Sequence, residues 1–274
     1  MQIEPEVLGR GRIATVYDWG GGRAAKVFHT ASDNPAVARE AANMRAACAL
    51  GLPAPRVYET IDWHGEPALV MDRVEGRSFV QVLMEGADTI EAVGARMAEI
   101  HFALHSRVAP DGLVRANDWL AWRIRRAPDL DEAEIARLLG LLDSLGDGDR
   151  LCHNDFHPDN ILRSDAGDVV IDWCDTTVGN PWADVARTVL VFECRSLPPD
   201  VTPEQGRLMN LLRGAIGEAY AARYRALARV ETLPIRDWRV VVAASRLWLP
   251  IREENELNRV IVRAWLDGVP GPVT

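Results

Sequence analysis

The segment from His153 to Asn160 carries more chemically active side chains than any other short stretch of the sequence. It reads His-Asn-Asp-Phe-His-Pro-Asp-Asn, with two histidines four residues apart. Histidines at this spacing on a helix are typical of zinc metalloproteases, which also need a glutamate directly after the first histidine. Asn154 takes the place of that glutamate, and Pro158 does not suit a continuing helix. A zinc site is therefore disfavoured.

Interpreted as a loop, the same segment offers a different chemistry. Asp155 supplies a carboxylate that can face a substrate hydroxyl, and Asn160 supplies an amide oxygen for a hard cation. Twelve residues after Asn160, a strand of the buried type ends in Asp172. Mg²⁺ prefers one or two carboxylates, an amide oxygen, water and phosphate oxygens. Asn160 and Asp172 can supply that set, and the alternative is that they serve only as turn and cap residues.

Lys26 is the only lysine in a chain with thirty-one lysine and arginine residues. A lysine ammonium is a compact point charge, whereas an arginine guanidinium is a wider planar fork. The single lysine therefore predicts a position whose function requires an ammonium group rather than a guanidinium group. Chance survival of one surface lysine is the alternative.

The residues up to Gly76 predict a small α+β unit. Short β-prone segments are separated by glycine-containing turns, and one helix runs to about Leu50 before Gly51 and Pro53. Asp33 or Asn34 is its expected cap, with Pro35 in the first turn. The predicted strands cover about 7–8, 15–17, 24–28, 57–61 and 68–72.

After Gly76 the apolar residues follow the period of α-helices. The interruption at 151–173 combines short β-prone pieces with loops rich in Asp, Asn and His. Helices are predicted at 89–107, 119–126, 132–145, 181–193, 204–228 and about 235–265. A β-rich first third and a helical remainder predict an α+β fold of two lobes with a cleft between them.

The string HxDxxxxN, followed by a strand that ends in Asp172, resembles the signature of the aminoglycoside phosphotransferase and choline kinase-like family, relatives of the protein kinases. The resemblance covers about residues 6–190. It implies a protein-kinase-like fold with a nucleotide-binding lobe at 1–76, a hinge at about 71–76 and a helical lobe at 77–274. The second lobe is expected to hold the catalytic loop and the substrate pocket.

Carried over by position, the resemblance implies a role for each motif residue. Asp155 would orient the acceptor hydroxyl and accept its proton. Asn160 and Asp172 would hold Mg²⁺. Lys26 would contact the α- and β-phosphates, and Glu40 would fix Lys26.

The resemblance also implies the contacts of the nucleotide. The adenine would lie against Met71 and bond to the backbone at Asp72 and Val74. Gly9, Gly11 and Thr15 would form the phosphate loop, although Ala14 stands where protein kinases have a third glycine. Three further residues are expected to support the catalytic loop structurally: His101, His153 and Asp184.

The implied activity is transfer of the γ-phosphate of ATP or GTP to a hydroxyl of a small molecule. An aminoglycoside or other antibiotic is one acceptor class, and choline, an amino alcohol or a sugar is the alternative. A non-catalytic nucleotide-binding pseudokinase is a third interpretation. A cationic acceptor would suit acidic residues after Asp172, namely Asp175, Glu193, Glu253, Glu254 and Glu256. A quaternary ammonium or a ring would suit Trp173, Trp182 and Trp248.

The bulk composition excludes several classes of function. The net charge of −9 provides no basic stripe for nucleic acid. The first residues lack the basic and apolar regions of a secretory signal, and no apolar run is long enough to suggest a membrane span. The four cysteines form no CxxC pair. These features predict a cytoplasmic protein with a small-molecule partner, and they leave its oligomeric state open.

Overall fold

The computed structural model describes residues 5–29, 35–194 and 202–269. The chain packs into two units. One consists of residues 1–82 together with 158–176, and the other of 83–157 together with 177–274. The later segment 158–176 therefore packs with the N-terminal part of the chain.

The first unit contains a five-stranded antiparallel sheet in the order β1-β2-β3-β5-β4. The central strand β3 is buried from Ala24 to Phe28, and Lys26 pairs with Val16 on one side and Leu69 on the other. Apolar alternation and glycine turns explain the hairpins. The strands are β1 Val7–Arg10, β2 Ala14–Gly20, β3 Arg23–Phe28, β4 Val57–Trp63 and β5 Glu66–Asp72, and helix α1 is Ala36–Ala49.

A smaller sheet completes this unit. Strands β6 (Arg77–Ser78), β8 (Ile161–Ser164) and β9 (Gly167–Val170) are antiparallel, in the order β6-β8-β9. Gly76 precedes β6, and a Cβ atom at Gly76 would lie 2.6 Å from the carbonyl oxygen of Arg163. Only glycine allows this close approach of the two backbones.

The second unit is mainly helical. It also contains a two-stranded antiparallel ladder of β7 (Arg150–Cys152), which precedes the loop that begins at His153, and β10 (Thr177–Gly179). Helix α2 (Phe79–Met84) crosses the boundary between the units along the chain. The other helices are α3 Ile90–His105, α4 Ala116–Ile124, α5 Glu132–Ser144, α6 Pro181–Glu193, α7 Pro203–Ala228, α8 Arg236–Arg246 and α9 Arg252–Leu266.

The predicted α+β class is confirmed, with an antiparallel sheet in the N-terminal part and helices after it. The single helix predicted at about 235–265 is wrong. It divides into α8 and α9 because Pro250, between them, has no backbone N–H to continue a helical ladder. Strands β6 and β10 were not predicted, since two or three residues carry no periodicity. The predicted caps Asp33 and Asn34 lie outside the described residues.

Among the residues that the structure describes, no helix combines the length and apolarity that crossing a membrane requires.

Candidate active site

Lys26 lies in an ion triad of the first unit. Strand β3 presents its ammonium to Glu40 of α1, with 2.8 Å between Nζ and Oε1, and to Asp172, with 2.9 Å between Nζ and Oδ1. Lys26 is 6% exposed and Glu40 is 1% exposed, so this is not a surface lysine. Burial alone would lower the pKa of Lys26, but the charges of Glu40 and Asp172 outweigh burial and raise it. The side chain is therefore a fixed ammonium.

Helix α1 also holds the chain after Asp172. The Asn43 amide donates to the carbonyl of Trp173 at 2.8 Å, and Arg39 Nε donates to the carbonyl of Cys174 at 3.2 Å. The Cys174 thiol donates to Glu40 Oε2 at 2.7 Å, while Lys26 occupies Oε1 of the same carboxylate. The sequence analysis did not predict these three contacts. The available signal was the spacing of Arg39, Glu40 and Asn43, which places them within about one turn of α1.

Asn160 and Asp172 lie at the same end of the β8–β9 hairpin. The Ile171 N–H donates to the Asn160 carbonyl at 2.9 Å, which extends the ladder by one pair beyond Ile161 and Val170. Asn160 is buried, whereas the Asp172 side chain is 38% exposed. Asp172 has a φ of +62°, a left-handed conformation that is uncommon for a residue other than glycine. A carboxylate and an amide oxygen at one hairpin end form a donor set that fits Mg²⁺.

The predicted nucleotide-contacting residues fall on the main sheet of the same unit. Gly9 lies on β1, and the Gly11 N–H donates to the Ala14 carbonyl at 2.8 Å in the turn before β2. Thr15 is buried, with its hydroxyl 2.9 Å from His29 Nε2, so its side chain already has a partner in the protein.

The residues predicted to contact the adenine, in the predicted hinge, lie at the end of the sheet and just after it. Met71 and Asp72 end β5, and half-buried Val74 comes shortly after it. The Asp72 carboxylate accepts hydrogen bonds from the Arg56 N–H and the Tyr58 hydroxyl, each at 2.8 Å. That carboxylate is thus occupied within the sheet, and the predicted adenine contacts at Asp72 concern its backbone.

Asp155 belongs to the second unit, in the loop after β7. Its Oδ1 lies 3.4 Å from the Arg187 guanidinium, its Oδ2 lies 3.6 Å from His157 Nε2, and its side chain is 33% exposed. Burial would raise the pKa of Asp155, but the hydrogen bond and charge of His157, with the charges of Arg187 and Arg246, hold that pKa far below its ordinary value. Asp155 is therefore a carboxylate throughout the physiological pH range.

Asp184, near the start of α6, fixes the backbone of the same loop. Its two oxygens accept from the N–H groups of His153 and Asn154, and Asn154 has a φ of +63°. His101 and His105 of α3 each bring Nε2 to Asp184 Oδ2, at 3.0 and 3.2 Å. The supporting role predicted for His101 and Asp184 agrees with these contacts. For His153 the corresponding contact is its Nδ1, which accepts a hydrogen bond from the Asp155 N–H at 3.3 Å.

Acid should destabilise the fold through His101. Its side chain has no exposed surface, and burial together with the nearby His105 lowers its pKa to about 4 from an ordinary value of 6.5. The unfolded state therefore binds more protons between these pH values, so stability is complete above about 6.5 and is lost as pH falls toward 4. We expect a loss of about 3 kcal/mol in the free energy of unfolding. Urea titrations at several pH values measure it.

His101→Asn should flatten this pH dependence, because the asparagine does not titrate. His64→Asn, at an exposed turn position, is the matched control and should keep the slope. An unchanged slope in the His101 variant would contradict the assignment.

Two of the acidic residues predicted to line a cationic pocket are already neutralised by arginines. Glu193 pairs with Arg239 at 2.5 Å, and Glu254 pairs with Arg246 at 2.9 Å. Glu256 is exposed, and Asp175 lies in the first unit. The Glu253 side chain lies outside the described residues.

Of the three tryptophans considered for a ligand-binding role, Trp173 instead has the alternative position, in the core. Trp173 has no exposed surface, and its indole N–H donates to the Val170 carbonyl at 2.9 Å, so it belongs to the core. Trp182 packs against Tyr224, and Trp248 packs against Trp122.

Comparisons with solved structures show the fold. An aminoglycoside-3'-phosphotransferase of type VIII is similar over 90% of this chain and 93% of its own, with a TM-score of 0.60 and 20% identity. A putative fructosamine-3-kinase from Haemophilus somnus 129PT covers 96% and 91%, with a TM-score of 0.57 and 14% identity. The streptomycin–ATP–APH(2'')-IIa ternary complex covers 95% and 91%, with a TM-score of 0.52 and 18% identity.

These neighbours share the protein-kinase-like fold that the resemblance implied. No curated protein matches the chain in sequence. A family model does match, over residues 6–230, and that range contains all of the predicted motif residues. The chain therefore belongs to the phosphotransferase enzyme family APH.

Proposed function

We propose that this protein transfers the γ-phosphoryl group of ATP or GTP to a hydroxyl group of a small molecule, in a reaction that needs Mg²⁺. The observation that carries the proposal is the Lys26 ammonium, buried and held between Glu40 and Asp172. Membership of the phosphotransferase family supports the reaction class. Phosphoryl transfer depends mainly on positioning and on neutralising phosphate charge, and these residues are suited to both.

The donor side of the reaction is assigned to residues of the first unit. Lys26 contacts the α- and β-phosphates, and Glu40 keeps its ammonium in place. Asn160 and Asp172 would hold Mg²⁺, which when bound would supply charge neutralisation for the phosphates. The adenine binds along Met71, Asp72 and Val74. In the proposed division of the chain, residues 1–76 bind the nucleotide and residues 77–274 carry the catalytic loop and the acceptor.

The acceptor side is assigned to Asp155. Its carboxylate accepts a hydrogen bond from the acceptor hydroxyl and orients the oxygen toward the γ-phosphorus. As the new O–P bond forms and the bond to the β-phosphate oxygen breaks, the hydroxyl proton passes to Asp155, and ADP or GDP leaves. Because its pKa is held low, Asp155 acts chiefly by orienting the hydroxyl and takes the proton late.

The acceptor is proposed to be either an antibiotic or a cellular metabolite. The solved neighbours include a complex with streptomycin and a putative fructosamine kinase, so the fold serves both classes. The pairing of Glu193 and Glu254 with arginines favours an acceptor less cationic than an aminoglycoside. The streptomycin complex also contains ATP, which supports ATP as a donor. We place the reaction in the cytoplasm, where this donor is available.

A screen of nucleotide consumption tests the proposal. ATP or GTP with Mg²⁺ is offered with aminoglycosides, other hydroxylated antibiotics, choline, ethanolamine and sugars, and the phosphorylated product is identified by mass spectrometry. We expect acceptor-dependent release of ADP or GDP. Nucleotide binding without turnover across the panel would favour the pseudokinase interpretation.

Nucleotide binding should depend on the metal through Asp172. Ligands that bind the native state raise the melting temperature by mass action. We expect ATP or GTP with Mg²⁺ to raise the melting temperature of the wild type and to leave that of Asp172→Ala unchanged. Asp165→Ala, at the exposed turn of the β8–β9 hairpin, is the matched control and should behave as wild type. A wild type that shows no shift would refute nucleotide binding.

A further inference from the structure

A row of alternating charges leads away from Asp155 within the second unit. The Arg187 guanidinium reaches Asp155 Oδ1 at 3.4 Å through one nitrogen and Glu254 Oε2 at 3.3 Å through another. Arg246 contacts the same Glu254 oxygen through Nε at 3.1 Å and through a terminal nitrogen at 2.9 Å. The row therefore runs carboxylate, guanidinium, carboxylate, guanidinium.

The two arginines are buried, with side chains 7% and 6% exposed, whereas Asp155 is 33% exposed. Buried guanidinium groups are costly unless carboxylates compensate them. The Glu254 carboxylate compensates the charges of both arginines. Glu254 therefore holds Arg187 in place independently of the loop that carries Asp155. The charges of Arg187 and Arg246 also lower the pKa of Glu254 against the effect of its burial, which keeps Glu254 ionised.

Helix α6 acts on the catalytic loop at two points one turn apart. Asp184 accepts from the backbone N–H groups of His153 and Asn154, directly before Asp155. Arg187, three residues further along α6, reaches the Asp155 carboxylate itself. Residues at this spacing lie on one face of a helix. The first contact fixes the loop backbone, and the second restricts rotation of the carboxylate.

The outer half of the row comes from helices that the family match does not cover. That match ends at residue 230, whereas Arg246 ends α8 and Glu254 belongs to α9. The C-terminal helices thus contribute charge to the surroundings of Asp155. Neither the motif string nor helical periodicity contains information about this contribution.

We propose that Arg187 is a positioning residue for phosphoryl transfer: it orients the Asp155 carboxylate toward the acceptor hydroxyl, and Glu254 holds Arg187 for that task. This inference rests on the proposed function of Asp155. A 3.4 Å separation is at the long end of hydrogen-bond distance, so Arg187 acts mainly through its charge and its fixed direction. A purely structural role, tying α6 to α9, is the competing explanation.

A comparison of buried Arg187 with half-buried Arg239 separates these explanations. Arg239 of α8 pairs with Glu193 of α6 at 2.5 Å, so it also ties two helices of this unit together, and Asp155 is not part of that pair. Arg187→Met should lower kcat about 10- to 100-fold, with the KM for nucleotide within about twofold of wild type. Arg239→Met should keep kcat within about twofold of wild type, even if its melting temperature falls as much as that of Arg187→Met.

Two further variants test the mechanism of positioning. Arg187→Lys retains the charge without the planar fork, so it should recover part of the lost kcat. Glu254→Gln should lower kcat in the same direction as Arg187→Met but less, because Arg187 remains. If Arg187→Met lowers only the melting temperature, and if kcat and its dependence on pH stay as in wild type, the positioning role is refuted.

A measurement that needs no acceptor keeps the inference distinct from the proposed function. The titration of the Asp155 carboxyl is followed by carbon NMR of aspartate-labelled protein, with Asp155→Asn for assignment. In the wild type the Asp155 carboxyl should show no titration over the pH range in which the protein stays folded, whereas loss of the Arg187 charge should move its titration upward, toward the acid end of that range. An unmoved titration overturns the inference even if the wild type is an active kinase. If the wild type is inactive with every acceptor in the panel, the proposed function is refuted. The titration still shows whether the Arg187 charge acts on the Asp155 carboxylate.

Discussion

Asp155→Asn is expected to lower turnover at least ~10²-fold while nucleotide affinity stays close to that of the wild type. The substitution keeps the size of the side chain and removes its negative charge. An asparagine amide cannot accept the hydroxyl proton, and it no longer attracts the Arg187 guanidinium. Steady-state kinetics with the acceptor from the panel and calorimetry with nucleotide measure the two quantities.

Nucleotide affinity should persist because its proposed determinants lie elsewhere. Lys26, Glu40, Asn160 and Asp172 all belong to the first unit, whereas Asp155 belongs to the second. The triad around Lys26 has no member in the Asp155 loop. A variant that lost binding and turnover together would therefore indicate a damaged fold rather than a missing catalytic group.

Asp165→Asn is the matched control for Asp155→Asn, because it makes the same chemical change at an exposed turn. It should have wild-type turnover. If Asp155→Asn turned over as fast as this control with nucleotide binding intact, Asp155 would have no place in the mechanism.

The sequence alone singled out the three residues of the Lys26 triad, and the structure brings their side chains into contact. Glu40 and Asp172 follow Lys26 by 14 and 146 residues in the chain. Lys26 and Asp172 each lie in a short segment with a distinctive pattern, whereas Glu40 was implied only by the family resemblance. The lone lysine, the apolar β-prone run before Asp172 and the loop that ends in Asn160 can all be recognised in the sequence without knowledge of their contacts. Their positions on β3, α1 and the β8–β9 hairpin then follow from the fold.

The surroundings of Asp155 could not be predicted in the same way. Arg187 and Glu254 are ordinary members of amphipathic helices, and nothing in their local patterns distinguishes them from the other charged residues of α6 and α9. Their meeting depends on how the helices of the second unit pack, which a pattern of apolar spacing does not encode. Cys174 is similar, because its contact with Glu40 depends on the path of the chain after a left-handed Asp172.

Lys26→Arg should reduce turnover roughly 10²-fold although the charge is retained. The side chain is 6% exposed, with Glu40 and Asp172 within 2.9 Å of its ammonium and the Phe28 ring 5.3 Å away. A guanidinium is wider and planar, so it cannot fill this site without displacing one of the carboxylates. Arg45→Lys, an exposed exchange in the opposite direction on α1, is the control and should be fully active.

Chemical labelling of Lys26 provides the second half of this test, since the chain has no other lysine. An amine-selective acyl-phosphate probe can modify Lys26 and the N-terminal amine, and peptide mass mapping separates the two sites, so the N-terminal amine serves as an internal reference. Labelling should be slow, because the two carboxylates keep Lys26 protonated, and nucleotide with Mg²⁺ should slow it further. Glu40→Gln should accelerate labelling in the absence of nucleotide, because one of the two stabilising charges is gone. If Lys26 is labelled equally with and without nucleotide and Lys26→Arg is fully active, Lys26 does not take part in phosphate binding.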